Sequence, residues 1–302
     1  MPPSASLVIP TRNRAGELRN LLRSAQSQTV PLEIHVMDDG DDCDTREMIQ
    51  REYPEVHYHQ LGVGRGPAFQ RNRGIELAST NFVFPVDDDT LFVSPHTIEQ
   101  TLAEFDHPRV GAVGMPYINV KKDQKVLQRA PGEGGAYVTY AFVGAAHCVR
   151  RDVFLGVGGY REHFFYMGEE GDLCLRMLEA GYVTRLGRAD VMHHFESPNR
   201  NSTLADWCGR RNDVLFVWHN APATVLPAHM LATTYLGLCH ALRVSRLPSH
   251  IRGSLSGWRV VLTGGAERRP VTEPTYRIFR RLKKGGPLLL TDIEGCLPSL
   301  KC

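Results

Sequence analysis

None of the seven cysteines, at positions 43, 148, 174, 208, 239, 296 and 302 of the 302-residue chain, forms a C-x-x-C pair. An odd count without close spacing excludes a disulfide framework and gives no zinc pattern, so reduced thiols are expected. The chain lacks a G-x-x-x-x-G-K-[ST] stretch, and Gly62-Val63-Gly64-Arg65-Gly66 brings its third glycine too early for G-x-G-x-x-G. The P-loop and the dinucleotide fingerprint are therefore both excluded. MPPSASLVIPTRNR has no charged start followed by an apolar segment, so no signal peptide is expected. Long apolar runs are missing too: residues 214–242 carry no formal charge, but Pro222, Pro227, His219, His229 and His240 interrupt them, leaving a weak span at best. There is no repeat or low-complexity run, and 42% hydrophobic with 23% charged residues is the balance of a packed protein, not of a disordered one.

Charge is present but unevenly placed. Residues 241–302 hold 12 Lys/Arg against 4 Asp/Glu, whereas residues 1–240 hold 23 against 29. A basic tail suits either a solvated helical surface or an anionic membrane face, and no aromatic-and-basic RNA motif accompanies it, so nucleic acid is not expected. The shift in composition near residue 220 divides the chain into an α/β part, 1–220, and a C-terminal helical, basic extension, 221–302. Trp258, Tyr276 and Phe279 of the extension are suited to a membrane interface. The chain is expected to be cytoplasmic, with peripheral membrane contact as a further expectation.

Short apolar runs alternate with amphipathic stretches through the first 200 residues, the pattern of a mainly parallel sheet flanked by helices. Ser6–Ile9 is a strand that Pro10 is expected to end, and Leu18, Leu21, Leu22 and Ala25 share one helix face. Leu32–Met37 is a strand running into Asp38-Asp39-Gly40. Residues 66–79 form a helix, Asn81–Val86 a strand running into Asp87-Asp88-Asp89, residues 95–106 a helix and Val110–Met115 a strand. Both acidic loops follow strands, so they converge on one sheet edge, where open α/β sheets bind ligands.

Three adjacent carboxylates repel one another unless a cation or donors neutralise them, and a hard divalent ion is a natural partner for Asp87-Asp88-Asp89. A solvated turn or helix cap is the alternative. Asp38 and Asp39 are placed either to cap the next helix or to accept hydrogen bonds from a nucleoside. Glu169-Glu170-Gly171-Asp172 opens a helix that Gly181 stops, a rigid place for a general base. In the strand-like run ending His193-His194, adjacent residues point opposite ways, so at most one faces the site. Arg71 and Arg73 either contact phosphate or line a helix surface.

Taken in order, Ile9-Pro10-Thr11-Arg12-Asn13-Arg14, Asp38-Asp39-Gly40, Gly66-Pro67 with Arg71-Asn72-x-Gly74, Asp87-Asp88-Asp89, Glu169-Glu170-x-Asp172-Leu173-x-Leu175-Arg176 and His194-x-x-Ser197-Pro198 resemble glycosyltransferase family 2 over roughly residues 5–220. The resemblance implies a GT-A (Rossmann-like) fold, a nucleotide-diphosphate sugar donor, a divalent metal (Mg²⁺ or Mn²⁺) and inversion at the anomeric carbon. Carried over by position, it implies a donor site of Pro10, Thr11, Arg12, Arg14, Asp38, Asp39, Arg71, Asn72, Asp87 and Asp88. It gives Asp87, Asp89 and His194 as metal ligands and Glu170 or Glu169 as base, with Asp172 capping the helix or orienting its neighbours. Arg211-Asn212 resembles a pair seen late in such enzymes. The acceptor implied is a glycan or lipid-linked glycan of envelope or polysaccharide synthesis. A nucleotidyltransferase and a non-catalytic nucleotide-sugar-binding protein are the competing classes.

Overall fold

In the computed structural model, residues 4–62, 64–196 and 202–301 are described. The chain begins β1 (Ala5–Thr11), α1 (Ala15–Gln26), β2 (Leu32–Asp38), α2 (Asp44–Glu52), β3 (His57–Gln60), α3 (Pro67–Leu77) and β4 (Phe82–Pro85). It continues through β5 (Thr90–Phe92), α4 (Thr97–Ala103), β6 (Val110–Gly114), β7 (Tyr117–Asn119), β8 (Val126–Leu127), β9 (Tyr137–Thr139), β10 (His147–Arg150) and α5 (Arg151–Gly156). Then come α6 (Glu169–Glu179), β11 (Val183–Leu186), β12 (Met192–His194), α7 (Ser202–Asn220), α8 (Leu226–Arg243), α9 (Leu247–Leu262), α10 (Glu273–Gly285), β13 (Leu288–Leu289) and α11 (Leu290–Ile293).

The main sheet has the order β13-β9-β11-β6-β10-β4-β1-β2-β3, with a second sheet β5-β12-β7-β8 beside it. Strands β3, β2, β1 and β4 pair in parallel, as do β6 and β11. Strand β10 lies antiparallel between β4 and β6, so those six share one direction. The mainly parallel α/β sheet expected from the alternating pattern is therefore present. Because side chains along a strand alternate in direction, Leu7 and Ile9 of β1 pack with Leu18, Leu21 and Met48 of α1 and α2, while Val8 packs with Ala68 and Ile75 of α3 and Leu173 of α6.

Strand β1 does not stop at Pro10. It continues to Thr11 because pairing with β4 ends at Val8 opposite Pro85, so the N–H that proline lacks falls where the sheet has opened. Helix α6 ends as read, with Gly181 at φ +87° beyond its last turn.

Beyond residue 220, α8 and α9 pack on α7 through glycines. A Cβ at Gly253 would lie 2.4 Å from the Trp207 carbonyl, and one at Gly257 2.8 Å from that of Arg211. Helix α10 and β13 return to the main sheet, where Leu288 and Leu289 pair with β9. Tyr276 and Phe279 are buried there in a core shared with α6 and α7, and the Nε1 of half-buried Trp258 donates to Thr234 Oγ1 at 3.0 Å. Trp258, Tyr276 and Phe279 therefore serve packing and do not form an outward belt. Among the described residues no helix is long and apolar enough to cross a membrane.

Candidate active site

Asp87-Asp88-Asp89 forms the turn that carries the chain from β4 in the large sheet to β5 in the small one, closed by Thr90 Oγ1 donating to the Asp87 carbonyl at 2.8 Å. The turn sorts the three acids. Asp88 points inward: Thr11 Oγ1 donates to its Oδ2 at 2.8 Å and Arg14 Nη1 to its Oδ1 at 2.7 Å. Burial, opposed by Arg14 and reinforced by Asp89, pushes its carboxyl up to about 7. All three acids border the cavity, Asp88 with a carboxylate already engaged by Thr11 and Arg14.

Strand β12 brings the histidine to them by register. It runs antiparallel to β5 and parallel to β7, which sets His194 opposite Thr90 and Asn119, and the Phe195 N–H donates to the Asp89 carbonyl at 2.8 Å. The ligand atoms of Asp87, Asp89 and His194 consequently lie within 4.8 Å of one another. His193, on the other face of the strand, packs edge-on against Phe195. Asp89 Oδ1 is buried 3.2 Å from His194 Nε2 without an aligned hydrogen bond. A buried, unsatisfied carboxylate oxygen beside an imidazole nitrogen and a second carboxylate is a donor set that fits a divalent ion. Without one, burial works against the His194 cation but Asp89 more than offsets it, so the ring titrates above its ordinary range.

Across the cavity, helix α6 presents Glu169 and Glu170. Glu169 is 1% exposed, with Oε1 3.5 Å from Arg71 Nη1 and, among the described residues, no hydrogen-bond partner for Oε2. Glu170 is half-buried and its Oε1 accepts from the Gly144 N–H at 3.2 Å. Burial raises both carboxyls, and the Glu169 carboxyl is raised further by its neighbour's charge. Arg71 is buried between the two acidic groups, its Nη2 donating to Asp87 Oδ1 at 2.5 Å. It lines neither a helix surface nor solvent. Arg73 is the exposed one and pairs with Glu76.

One cavity of about 510 Å³ unites these groups, and its walls also include Pro10, Thr11, Arg12, Arg14 and Asp39. Asp38 and Asn72 are not on that wall. Asp38 accepts from the Gly40 N–H and the Tyr58 hydroxyl, and Asn72 exchanges hydrogen bonds with both backbone groups of Tyr160. Asp39 accepts from the Gly66 N–H at 2.8 Å, tying the second acidic loop to the start of α3. Ser197 and Pro198 lie outside the described residues.

Two amide side chains that the motifs did not single out as site residues hold the cavity together. Gln70 Nε2 donates to the carbonyls of Thr11 and Met37, joining the ends of β1 and β2. Asn212 of α7 donates to the carbonyls of Phe164, Tyr166 and Met167 at 2.9, 2.9 and 2.7 Å, while Arg211 Nη1 donates to His163 O. They grip a segment in which Phe165 and Met167 adopt φ of 63° and 73°, and which leads directly into Glu169. The Arg211-Asn212 pair was the available signal; its target 45–48 residues away was not. Asp172 orients its neighbours, accepting from Arg161, Arg176 and Asn220.

This is a GT-A glycosyltransferase fold, with acids at the carboxyl ends of its parallel strands. A family model described as glycosyl transferase family 2 matches residues 6–154, and the chain is similar to that family over those residues. It is 29% identical over 225 residues to the pre-mycofactocin glycosyltransferase of Mycobacterium tuberculosis, a match covering 68% of this chain and 45% of that protein. It is also 33% identical over 97 residues to the GalNAc(5)-diNAcBac-PP-undecaprenol beta-1,3-glucosyltransferase of Campylobacter jejuni, covering 30% of this chain and 31% of that one. The match thus spans less than half the length of the mycobacterial relative. Among solved structures, GalNAc-T7 with UDP, GalNAc and Mn²⁺ superposes with a TM-score of 0.65 at 14% identity, covering 93% of this chain and 56% of that one. The mannosyltransferase PcManGT from Pyrobaculum calidifontis, in complex with GDP-Man and Mn²⁺, gives 0.59 at 20% identity, covering 92% and 79%.

Proposed function

We propose that the chain is a metal-dependent, inverting glycosyltransferase that moves a hexosyl group from a nucleotide-diphosphate sugar to a hydroxyl of a glycan or lipid-linked glycan. The supporting observation is that Asp87, Asp89 and His194 converge within 4.8 Å on the wall of the cavity that Glu169 and Glu170 face. Asp87, Asp89 and His194 would hold Mg²⁺ or Mn²⁺. When bound, such an ion supplies positive charge to the oxygens of the departing diphosphate.

The chain's own residues do the rest. Arg14 and Arg71, each anchored on a carboxylate, hold their positions before substrate arrives, so little side-chain order remains to be gained on binding. Asp39 lies where the nucleoside would enter, between β2 and the start of α3. Asp38 and Asn72 act one layer behind, shaping the two loops. Glu170 is the base. Glu169 and Glu170 both border the cavity, but Glu170 is half-buried whereas Glu169 is 1% exposed beside Arg71. A carboxyl raised by burial is a better match to a proton acceptor working near neutrality. Taking the acceptor proton opposite the departing diphosphate gives inversion. Arg71, between Asp87 and Glu169, keeps the two acidic groups from repelling each other in the unliganded protein.

A screen of nucleotide sugars, read by release of nucleoside diphosphate with Mn²⁺ and with chelator, tests the reading. Chelator-sensitive release from one donor is expected. Unchanged release in chelator removes the metal claim, and pyrophosphate as product replaces the assignment with a nucleotidyltransferase.

A further inference from the structure

Helices α8 and α9 both bury a glycine-bearing face against α7 and leave the opposite face bare. On α8, Leu231, Tyr235, Leu238 and Leu242 recur at helical spacing, with Leu236 beside them, and all but Leu238 are 61–68% exposed. On α9, Ile251, Leu255 and Leu262 repeat the pattern, at 38%, 63% and 78%. Isolated exposed leucines need no explanation, but eight large apolar side chains on two consecutive helices do. The charges that the two helices and their connection carry have one sign, although Arg246 is paired with Asp206 of α7. Residues 226–262 contain Arg243, Arg246, Arg252 and Arg259 and not one Asp or Glu.

We infer that the outer face of the α8–α9 pair docks on an anionic phospholipid bilayer, lying in the interface without crossing it. An apolar stripe flanked by arginines and free of acids combines burial among acyl chains with attraction to phosphate headgroups. The helices are too short or too polar to span, which fits a surface position. A second copy of the chain is a poorer occupant, because a two-fold contact would set Arg252 and Arg259 against their copies, and neither α8 nor α9 carries an acid to pair them. The docking face also continues toward the catalytic cavity. A groove beside it is lined by Leu204, Trp207, Arg246 and Arg252 together with Asp206, the partner of Arg246, and Leu204 lines the cavity as well. Docking therefore sets the cavity's flank next to the headgroups, within reach of a lipid-borne acceptor. That last consequence rests on the glycosyltransferase reading; the docking itself does not.

Flotation of the whole chain with phosphatidylcholine vesicles, with and without phosphatidylglycerol and at low and high salt, tests the inference. The wild type should float with the anionic vesicles and weaken in salt. Leu231→Ser combined with Leu255→Ser should lower partitioning at least about tenfold. Arg252→Glu with Arg259→Glu should remove the preference for anionic lipid. All four side chains are exposed, so circular dichroism should show unchanged melting, and nucleoside diphosphate release measured without vesicles should stay as in the wild type. Failure of the wild type to float, or equal flotation of the leucine variants, overturns the docking face. A concentration-dependent dimer that the leucine changes dissolve overturns it too, assigning the face to self-association. Loss of diphosphate release in the wild type would instead count against the enzyme reading alone.

Discussion

Replacing Asn212 by alanine removes the donors that hold the Phe164, Tyr166 and Met167 carbonyls beside the α6 acids. The amide has two N–H groups for three acceptors, so about two hydrogen bonds' worth is lost, and each buried carbonyl left bare costs about 1–3 kcal/mol. Against this stands the backbone of Phe165 and Met167, whose positive-φ conformations cost roughly 1–3 kcal/mol each. Clamp and strain are of similar size. Without the clamp the segment relaxes, and a shift of about 2–3 kcal/mol corresponds to roughly a hundredfold change in its opening equilibrium. Hydrogen exchange at amides 165–168 should accelerate by about two orders of magnitude, while the melting temperature falls by only about 5 °C in a chain of this size. Turnover should drop about ten- to hundredfold as Glu170 loses its fixed approach. Asn212→Asp preserves shape but offers no donors, so it should be no better than alanine. Wild-type exchange and turnover in Asn212→Asp would refute the clamp, since shape alone would then suffice.

Other outcomes follow from the same geometry. Asp89→Ala should abolish metal-dependent nucleotide binding by calorimetry yet leave the circular dichroism spectrum unchanged. Glu170→Gln should bind donor normally and transfer about 10²- to 10⁴-fold more slowly, and a wild-type rate would move the base elsewhere. Gly144→Ala puts a Cβ 2.8 Å from Glu170 Oε1 and 3.0 Å from Arg71 Nη2, so it should impair turnover far more than thermal stability. His163 and His219 share a 2.8 Å nitrogen contact, and burial lowers both, His163 to about 4. The unfolded rings bind protons first as pH falls, so stability is full above about 6.5 and declines toward 4. A His163→Gln variant should show a flatter decline in its melting temperature over that window.

The sheet and the order of its acidic loops were legible because apolar residues dominate the buried strands and stop visibly at Asp38 and Asp87. Side-chain direction inside the turn was not. Which of Asp87, Asp88 and Asp89 turns inward depends on Thr11 and Arg14, 77 and 74 residues away. Asp38 is diverted by Tyr58, and Asn72 by the backbone of Tyr160, for the same reason: the partner is set by tertiary contact and leaves no local pattern. The histidine was decidable in principle by strand alternation, but choosing His194 over His193 needed the register with β5. In the extension, composition showed basic character but not that Tyr276 and Phe279 face inward while the leucines of α8 and α9 face out.

The position of His194 has an evolutionary corollary. Its strand is locked between β5 and β7, so the distance from imidazole to carboxylates is set by backbone ladders alone. The stretch 131–135, between β8 and β9, is largely exposed beyond that ladder, held by Arg188 donating to the Gly132 and Gly135 carbonyls. A lineage could lengthen, shorten or rewrite it without disturbing the donor half of the cavity, which gives this architecture room to change customers while keeping its chemistry.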